Sequence, residues 1–328
     1  MPKNEELVPV TFPMELRFGE EPTTEFKNDL EALKVVLLDY PERRRALEMC
    51  HQFVNATWED QPNEHDPRDL TEQELSKSLE AALRGKALPG VLETLDFTFR
   101  IEGIDLQTVT HLIRHRTGTF SAQCTGDRWQ THSAALAPGP VQNSPELYAR
   151  WQKHVEEAKQ LYCDMIDTKK ISIMDARTIL PRAIETHYYF RVNLKDAVAF
   201  MHQRLDTAIQ PVIDNAIAML MAIQIAEVFP EITSVIDFDA PSRHFIATAR
   251  TGKATNLYEP ESQNDKFEWH PKDFIYQCQR DELNGTDPEL GARENFKFTQ
   301  LKNSLKSQFL QQKKNFAHWQ GEVRDERA

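Results

Sequence analysis

Thr108-Val109-Thr110-His111-Leu112-Ile113-Arg114-His115-Arg116 is the stretch on which the reading of this chain turns. An amphipathic run at helical spacing gives way to three adjacent cationic or cation-capable side chains. Neighbouring residues on a helix point about 100° apart, so the three cannot share one face. A polar, Gly-containing loop, Thr117 to Gly126, follows. Two readings fit the triplet taken alone. One is a solvated helix end whose charges favour the C-terminal dipole. The other is a cluster that grips something anionic from several directions, such as a phosphate, a dinucleotide or a carboxylate.

The bulk composition narrows the choice. A chain of 328 residues accommodates one large domain, or one domain and an extension, and 40% hydrophobic content supplies a core. The net charge of −12 argues against a dedicated nucleic-acid binder, yet it tolerates a local cationic pocket for a small anion. Cys50, Cys124, Cys163 and Cys278 form no CxxC pair, and Met1 to Val10 carry no apolar signal segment. The expectation is a reduced cytoplasmic protein with unbridged thiols. Val212 to Phe229 is strongly apolar but contains Asp214, Asn215, Gln224 and Glu227, so it reads as a packed helix and not a membrane span. His111 and His115 are spaced four apart, as in zinc helices. Leu112 stands where that motif has its general-base Glu, and Arg114 and Arg116 repel a cation, so no metal is expected.

Along the chain, Phe26 to Asp39 and Arg43 to Val54 are expected to be helices. Thr71 with Glu74 forms a capping-box signal ahead of a helix over Leu75 to Leu83. Phe97 to Glu102 alternates and predicts a strand ended by Gly103. Leu136 to Ser144 is Pro- and Gly-containing and reads as a linker or flap, and Ser144 is expected to cap a helix through Ile166. Asp175 to Leu180 predicts a short helix, Thr186 to Asn193 a strand, and Asp196 to Phe229 helix interrupted at Pro211. The composition shifts at Pro230. The expected architecture is mixed α/β (α+β), helices on a small mixed or antiparallel sheet. A domain over 1–230 is followed by a helical or irregular extension over 231–328.

Several segments together resemble the flavin-dependent thymidylate synthases. A strand bearing Phe97-Thr98-Phe99 precedes Arg114-His115-Arg116, and Cys124 falls where that family has a Ser after seven intervening residues. Ala176-Arg177 with Leu180-Pro181, then Asn193, then Arg204 on a helix, follow in the family's order. The resemblance covers about Leu30 to Phe229. It implies a homotetramer with sites between subunits, bound FAD reduced by NADPH, and transfer of one carbon from methylenetetrahydrofolate to C5 of dUMP. By position it implies that Arg114, His115, Arg116, Asn193, Lys195 and Glu93 serve the flavin. It implies that His111, Arg114, Gln123, Cys124, Arg128, Arg177 and Arg204 serve the nucleotide, with Arg204 activating the base. No nucleic acid or membrane partner is implied.

The chain also departs from that pattern. Leu88 stands where the family has His, and Gly90 where it has a small hydroxyl residue. Val36 to Leu38 replace an early Ser, Lys195 replaces Arg, and Ala199 replaces Asn. The nucleotide-facing arginines match better than the flavin-facing polar groups. The expectations therefore include methylation or hydroxymethylation of UMP, dCMP or CMP, and a nucleotide-binding relative without flavin activity. Cys124 carries two readings, a small packing residue or a nucleophile toward C6 of the ring.

Overall fold

The computed structural model describes residues 18–56, 59–61, 66–123, 129–205 and 211–236, with short strands at 247–248 and 254–255. These residues fall into two compact units woven from non-contiguous segments. One comprises Met1–Ala32, Gly103–Val109 and Ala122–His187, and the other Leu33–Glu102, Thr110–Ser121 and Tyr188–Ala328. The class is mixed α/β.

In the first unit, strand β1 (Phe26–Asn28) runs parallel to β5 (Ala135–Ala137), Phe26 facing Ala135. Short helices α1 (Asp29–Ala32) and α5 (Gly139–Gln142) flank the pair. The 23-residue helix α6 (Pro145–Asp167) buries Val155, Ala158, Tyr162, Cys163 and Ile166 at three- and four-residue steps, the pattern of one core-facing stripe. Ser144 occupies its N-cap but makes no side-chain cap bond; Pro145 supplies the preset first turn instead. Helix α7 (Ile173–Ala176) passes into a 3-10 turn over Arg177–Ile179.

Most residues of a four-stranded sheet, in the order β2-β3-β6-β4, belong to the second unit. The sheet's strands are β2 (Lys34–Asp39), β3 (Asp96–Asp105), β6 (Glu185–Asn193) and β4 (Thr119–Ala122). Alternation decides the faces: Phe97, Phe99 and Ile101 are fully buried on β3, as are Tyr188 and Phe190 on β6 within 1%. Helices α2 (Arg43–Asn55), α3 (Glu72–Leu83), α8 (Leu194–Arg204) and α9 (Val212–Val228) complete the unit. Gln224 of α9 donates to Val35 O at 3.0 Å and accepts from Leu37 N at 2.8 Å, which closes the outer edge of β2. Arg43 of α2 grips the buried carboxylate of Glu231 through both Nη atoms at 3.0 and 2.8 Å, and Ser76 of α3 donates to the same group.

Four expectations need correction. Thr117 to Gly126 is not all loop, because Thr119–Ala122 forms β4 at the edge of the sheet. Phe26 to Asp39 is not one helix but strand, short helix and strand. Lys34–Asp39 pairs antiparallel with β3, with a bulge between Leu37 and Asp39. Gly103 does not end β3; it adopts φ 67° and the strand continues to Asp105. Leu136 to Ser144 contains the end of β5 and helix α5, so it is not a featureless linker. The capping box at Thr71 and Glu74 is present, and Pro211 stands at the N-cap of α9.

Candidate active site

Helix α4 (Leu106–Leu112) stops one residue short of Ile113, so Arg114, His115 and Arg116 lie in the turn beyond it. That turn is held by His115 N bonding to Leu112 O at 3.1 Å. Just after it, Gly118 passes so close to β6 that an added Cβ would sit 2.3 Å from Phe190 Cε2 and 2.8 Å from Arg191 O. The triplet is thus anchored on both sides by backbone.

Arg204, the last residue of α8, is brought to the same turn. Its Nε donates to His115 Nε2 at 2.9 Å, its Nη1 to Asp214 Oδ2 at 2.8 Å and its Nη2 to His111 O at 2.7 Å. It is 8% exposed, and Asp214 is fully buried. Asn215 Nδ2 donates to Arg204 O at 2.6 Å, so adjacent residues of α9 hold Arg204 by its side chain and its backbone. His111 Nδ1 stands 3.3 Å from Asp214 Oδ2. The ring of His115 meets Phe200 edge-on at 4.6 Å between centroids.

Burial lowers the pKa of Arg204 below its ordinary value; Asp214 opposes this and Arg114 adds to it. The guanidinium remains a cation at any physiological pH. Burial and the adjacent Arg204 push His115 down to about 4, with Asp214 opposing. His115 is therefore a neutral imidazole at neutral pH.

The other expected site residues are placed as follows. Arg114 and Arg116 are exposed, and among the described residues their guanidinium groups make no ion pair or hydrogen bond. The same holds for Arg177, half-buried in the other unit. Asn193 caps α8, accepting from Asp196 N at 2.9 Å and donating to Asp196 Oδ2 at 2.8 Å. Lys195 pairs with Glu93, both side chains about half exposed. Gln123 lies beside β6, its N donating to His187 O at 3.1 Å and its O accepting from Thr186 Oγ1 at 2.9 Å. Cys124 and Arg128 lie outside the described residues. Leu88 is 65% exposed, and a Cβ on Gly90 would meet nothing within 4 Å.

In the sequence Asp214 and Asn215 stand only as polar interruptions of an apolar helix. Their signal was available: a fully buried carboxylate in such a helix must have a cationic or hydrogen-bonding partner. Among the described residues, no cluster of three or more His, Cys, Asp or Glu could hold a metal ion, and no helix is long and apolar enough to cross a membrane.

Comparisons place this geometry. A flavin-dependent thymidylate synthase from Pyrococcus furiosus is 30% identical over 140 residues, 42% of this chain and 57% of that protein. One from Clostridium tetani is 26% identical over 225 residues, 61% of this chain and 85% of that protein. A UMP/dUMP methylase PolB from Streptomyces cacaoi, solved with 5-Br dUMP, shares the fold. It has a TM-score of 0.51 and 18% identity, over 63% of this chain and 94% of that one. The sequence profile described as Thymidylate synthase complementing protein matches residues 36–231. That span exceeds half of the chain and contains the Arg-His-Arg turn, Arg204 and Asp214, and the chain belongs to this family.

Proposed function

We propose that this chain transfers a one-carbon unit from methylenetetrahydrofolate to C5 of a pyrimidine mononucleotide, dUMP first among them, using FAD reduced by NADPH. The observation that carries the reading is the meeting of Arg204 with the turn of Arg114-His115-Arg116, residues far apart in sequence and joined at 2.9 Å within a family member. Arg114, Arg116 and Arg177 stand ready for anionic ligands, since no described residue neutralises their guanidinium groups. Guanidinium matches phosphate oxygens in a bidentate fork, which ammonium does not.

The residues present fit a flavin dinucleotide. Two uncommitted guanidiniums at Arg114 and Arg116 suit its diphosphate, and open space beside Gly90 leaves room at a position the family resemblance assigns to the flavin. Bound there, FAD would supply the reducing equivalents. Asn193, Lys195 and Glu93 belong to the same proposed flavin site; in the unliganded chain Lys195 and Glu93 neutralise each other and Asn193 caps α8.

For the nucleotide, Arg177 and Arg128 would hold the phosphate, with His111, Gln123 and Cys124 at its margin. Making C5 nucleophilic drives negative charge onto the ring oxygens and N3. Arg204, cationic and poorly hydrated, would stabilise that charge by about 3 kcal/mol, the worth of one preorganised donor. Cys124 is assigned as a small packing residue there; unchanged turnover in Cys124→Ser agrees with this, and loss of turnover assigns it a chemical role. Assembly as a homotetramer and a cytoplasmic location belong to the same reading. The profile match over 36–231 supports a catalytic domain over 1–230 with a separate extension over 231–328.

The test is direct. Purified protein is incubated with methylenetetrahydrofolate, NADPH and FAD and with each of dUMP, UMP, dCMP and CMP, and the products are weighed by mass spectrometry. A gain of one methyl or hydroxymethyl group on one nucleotide supports the reading. A colourless preparation that takes up no FAD and alters no nucleotide refutes it.

A further inference from the structure

Arg204 is held from three directions that no single side-chain rotation would preserve. Its acceptors sit on the end of α4 (His111 O), on the following turn (His115 Nε2) and on the first turn of α9 (Asp214 Oδ2). Asn215 fixes the backbone of the same residue at 2.6 Å. The geometry also locates a proton. Arg204 Nε is always a donor, so His115 Nε2 must be the acceptor, and the neutral ring carries its hydrogen on Nδ1. Phe200, packed against the ring at 4.6 Å, sets its plane. Among the described residues, Nδ1 has no acceptor.

We propose that Asp214 is a positioning residue. Acting through Arg204, it locks His115 in the neutral Nδ1–H tautomer, so that this ring offers a fixed hydrogen-bond donor to an anionic or carbonyl oxygen of a bound ligand. His115 is thereby excluded as a general acid or base: one nitrogen is committed to a cation and the other already carries its proton. The charged and titratable groups around it are His111, Arg114, Arg204 and Asp214, and the two arginines outnumber the carboxylate. Asp214 is what lets the Arg204 guanidinium lie buried against an uncharged imidazole. Without it, the guanidinium loses the carboxylate bonded at 2.8 Å and turns toward water or ligand. His115 Nε2 is then released and both tautomers become accessible. The identity of the ligand rests on the function proposed above; the tautomer lock does not.

The experiment labels the histidine rings with 15N and assigns His115 by the loss of its signals in His115→Gln. In the full-length protein the ring is expected to show the Nδ1–H pattern, unchanged from about pH 8 to pH 6, about two units above a pKa of about 4. An Nε2–H pattern, or protonation of the ring within that range, overturns the proposal. In Asp214→Asn the ring is expected to exchange between tautomers, while burial, the largest cause of its lowered pKa, still holds it neutral. Retention of the wild-type pattern in that variant overturns the role of Asp214. Should Asp214→Asn fail to fold, Asp214→Glu keeps the charge but displaces the carboxylate from Arg204 Nη1, and is expected to produce the same tautomer exchange. Glu231→Gln, which loosens the clasp on Arg43 elsewhere, serves as the control that lowers stability while leaving His115 as it was. Separate additions of dUMP and of FAD identify the acceptor by the Nδ1–H shift. No shift with either removes the donor role. Turnover of Asp214→Asn on the active nucleotide is expected to fall by about tenfold in kcat, less than deleting a donor outright.

Discussion

Arg204→Ala is the perturbation that most directly tests how this site is built. It leaves Asp214, fully buried, without the cation that compensates it. A buried charge stripped of its partner costs about 3–5 kcal/mol. In a domain of this size each kcal/mol lowers Tm by about 2–4 °C, so the melting temperature should fall by roughly 10 °C. Asp214→Ala strands the guanidinium instead and should cost a similar amount, since Arg204 is only 8% exposed. The double variant removes both charges together. Its loss should fall short of the sum of the single losses by about 3 kcal/mol, the upper end for residues in contact. Urea denaturation of the four proteins measures the cycle, and turnover measured alongside separates stability from chemistry. The double variant should regain stability relative to that sum yet stay as inactive as Arg204→Ala. Additive stabilities would refute the ion pair as described. Full activity in Arg204→Ala would remove Arg204 from the mechanism.

Lys159 is fully buried, its Nζ donating to Thr23 O and Ser133 O, and burial lowers its pKa from 10.5 to about 8. The unfolded chain therefore binds more protons between those values, and wild-type stability should rise relative to Lys159→Met from pH 8 toward pH 10.5, by about 3 kcal/mol in all. Paired denaturation curves at pH 7.5 and about 10 check the sign. Gly118→Ala places a Cβ 2.8 Å from the immovable Arg191 O and should cost about 1–3 kcal/mol, read as a lower Tm. Arg177→Gln breaks no ion pair among the described residues, so stability should change by less than about 0.5 kcal/mol while the Kd for dUMP rises. An unaltered Kd in calorimetry would take Arg177 out of the nucleotide site.

The nearly silent departures at Leu88 and Gly90 gain a physical meaning from the fold. Leu88 projects 65% of its surface and Gly90 faces open space, so neither replacement has been absorbed into a repacked core. By contrast, the polar groups of Asn193, Lys195 and Glu93 are already partnered within the chain. A ligand that used them would exchange existing bonds for new ones, at little net gain per bond.

Local patterns carried much of this architecture. The alternation over Phe97 to Glu102 and the aromatic, β-branched run Thr186 to Asn193 mark both central strands, because such side chains suit a pleated, half-buried surface whatever its partners are. Thr71 with Glu74, and Pro211, marked helix ends through bonds that reach no farther than one turn. The Arg-His-Arg triplet and Arg204 stand out in the sequence as candidates for binding an anion, but the sequence does not show that Arg204 packs against that triplet. Lys34–Asp39 was not legible. Its apolar run fits helix and strand alike, and only pairing with β3, some sixty residues on, decides between them. The pairing of Arg204 with Asp214 and the proton position on His115 were also beyond the sequence. Compensation of a buried charge falls off within a few ångströms, and those distances exist only once α4, α8 and α9 have packed together.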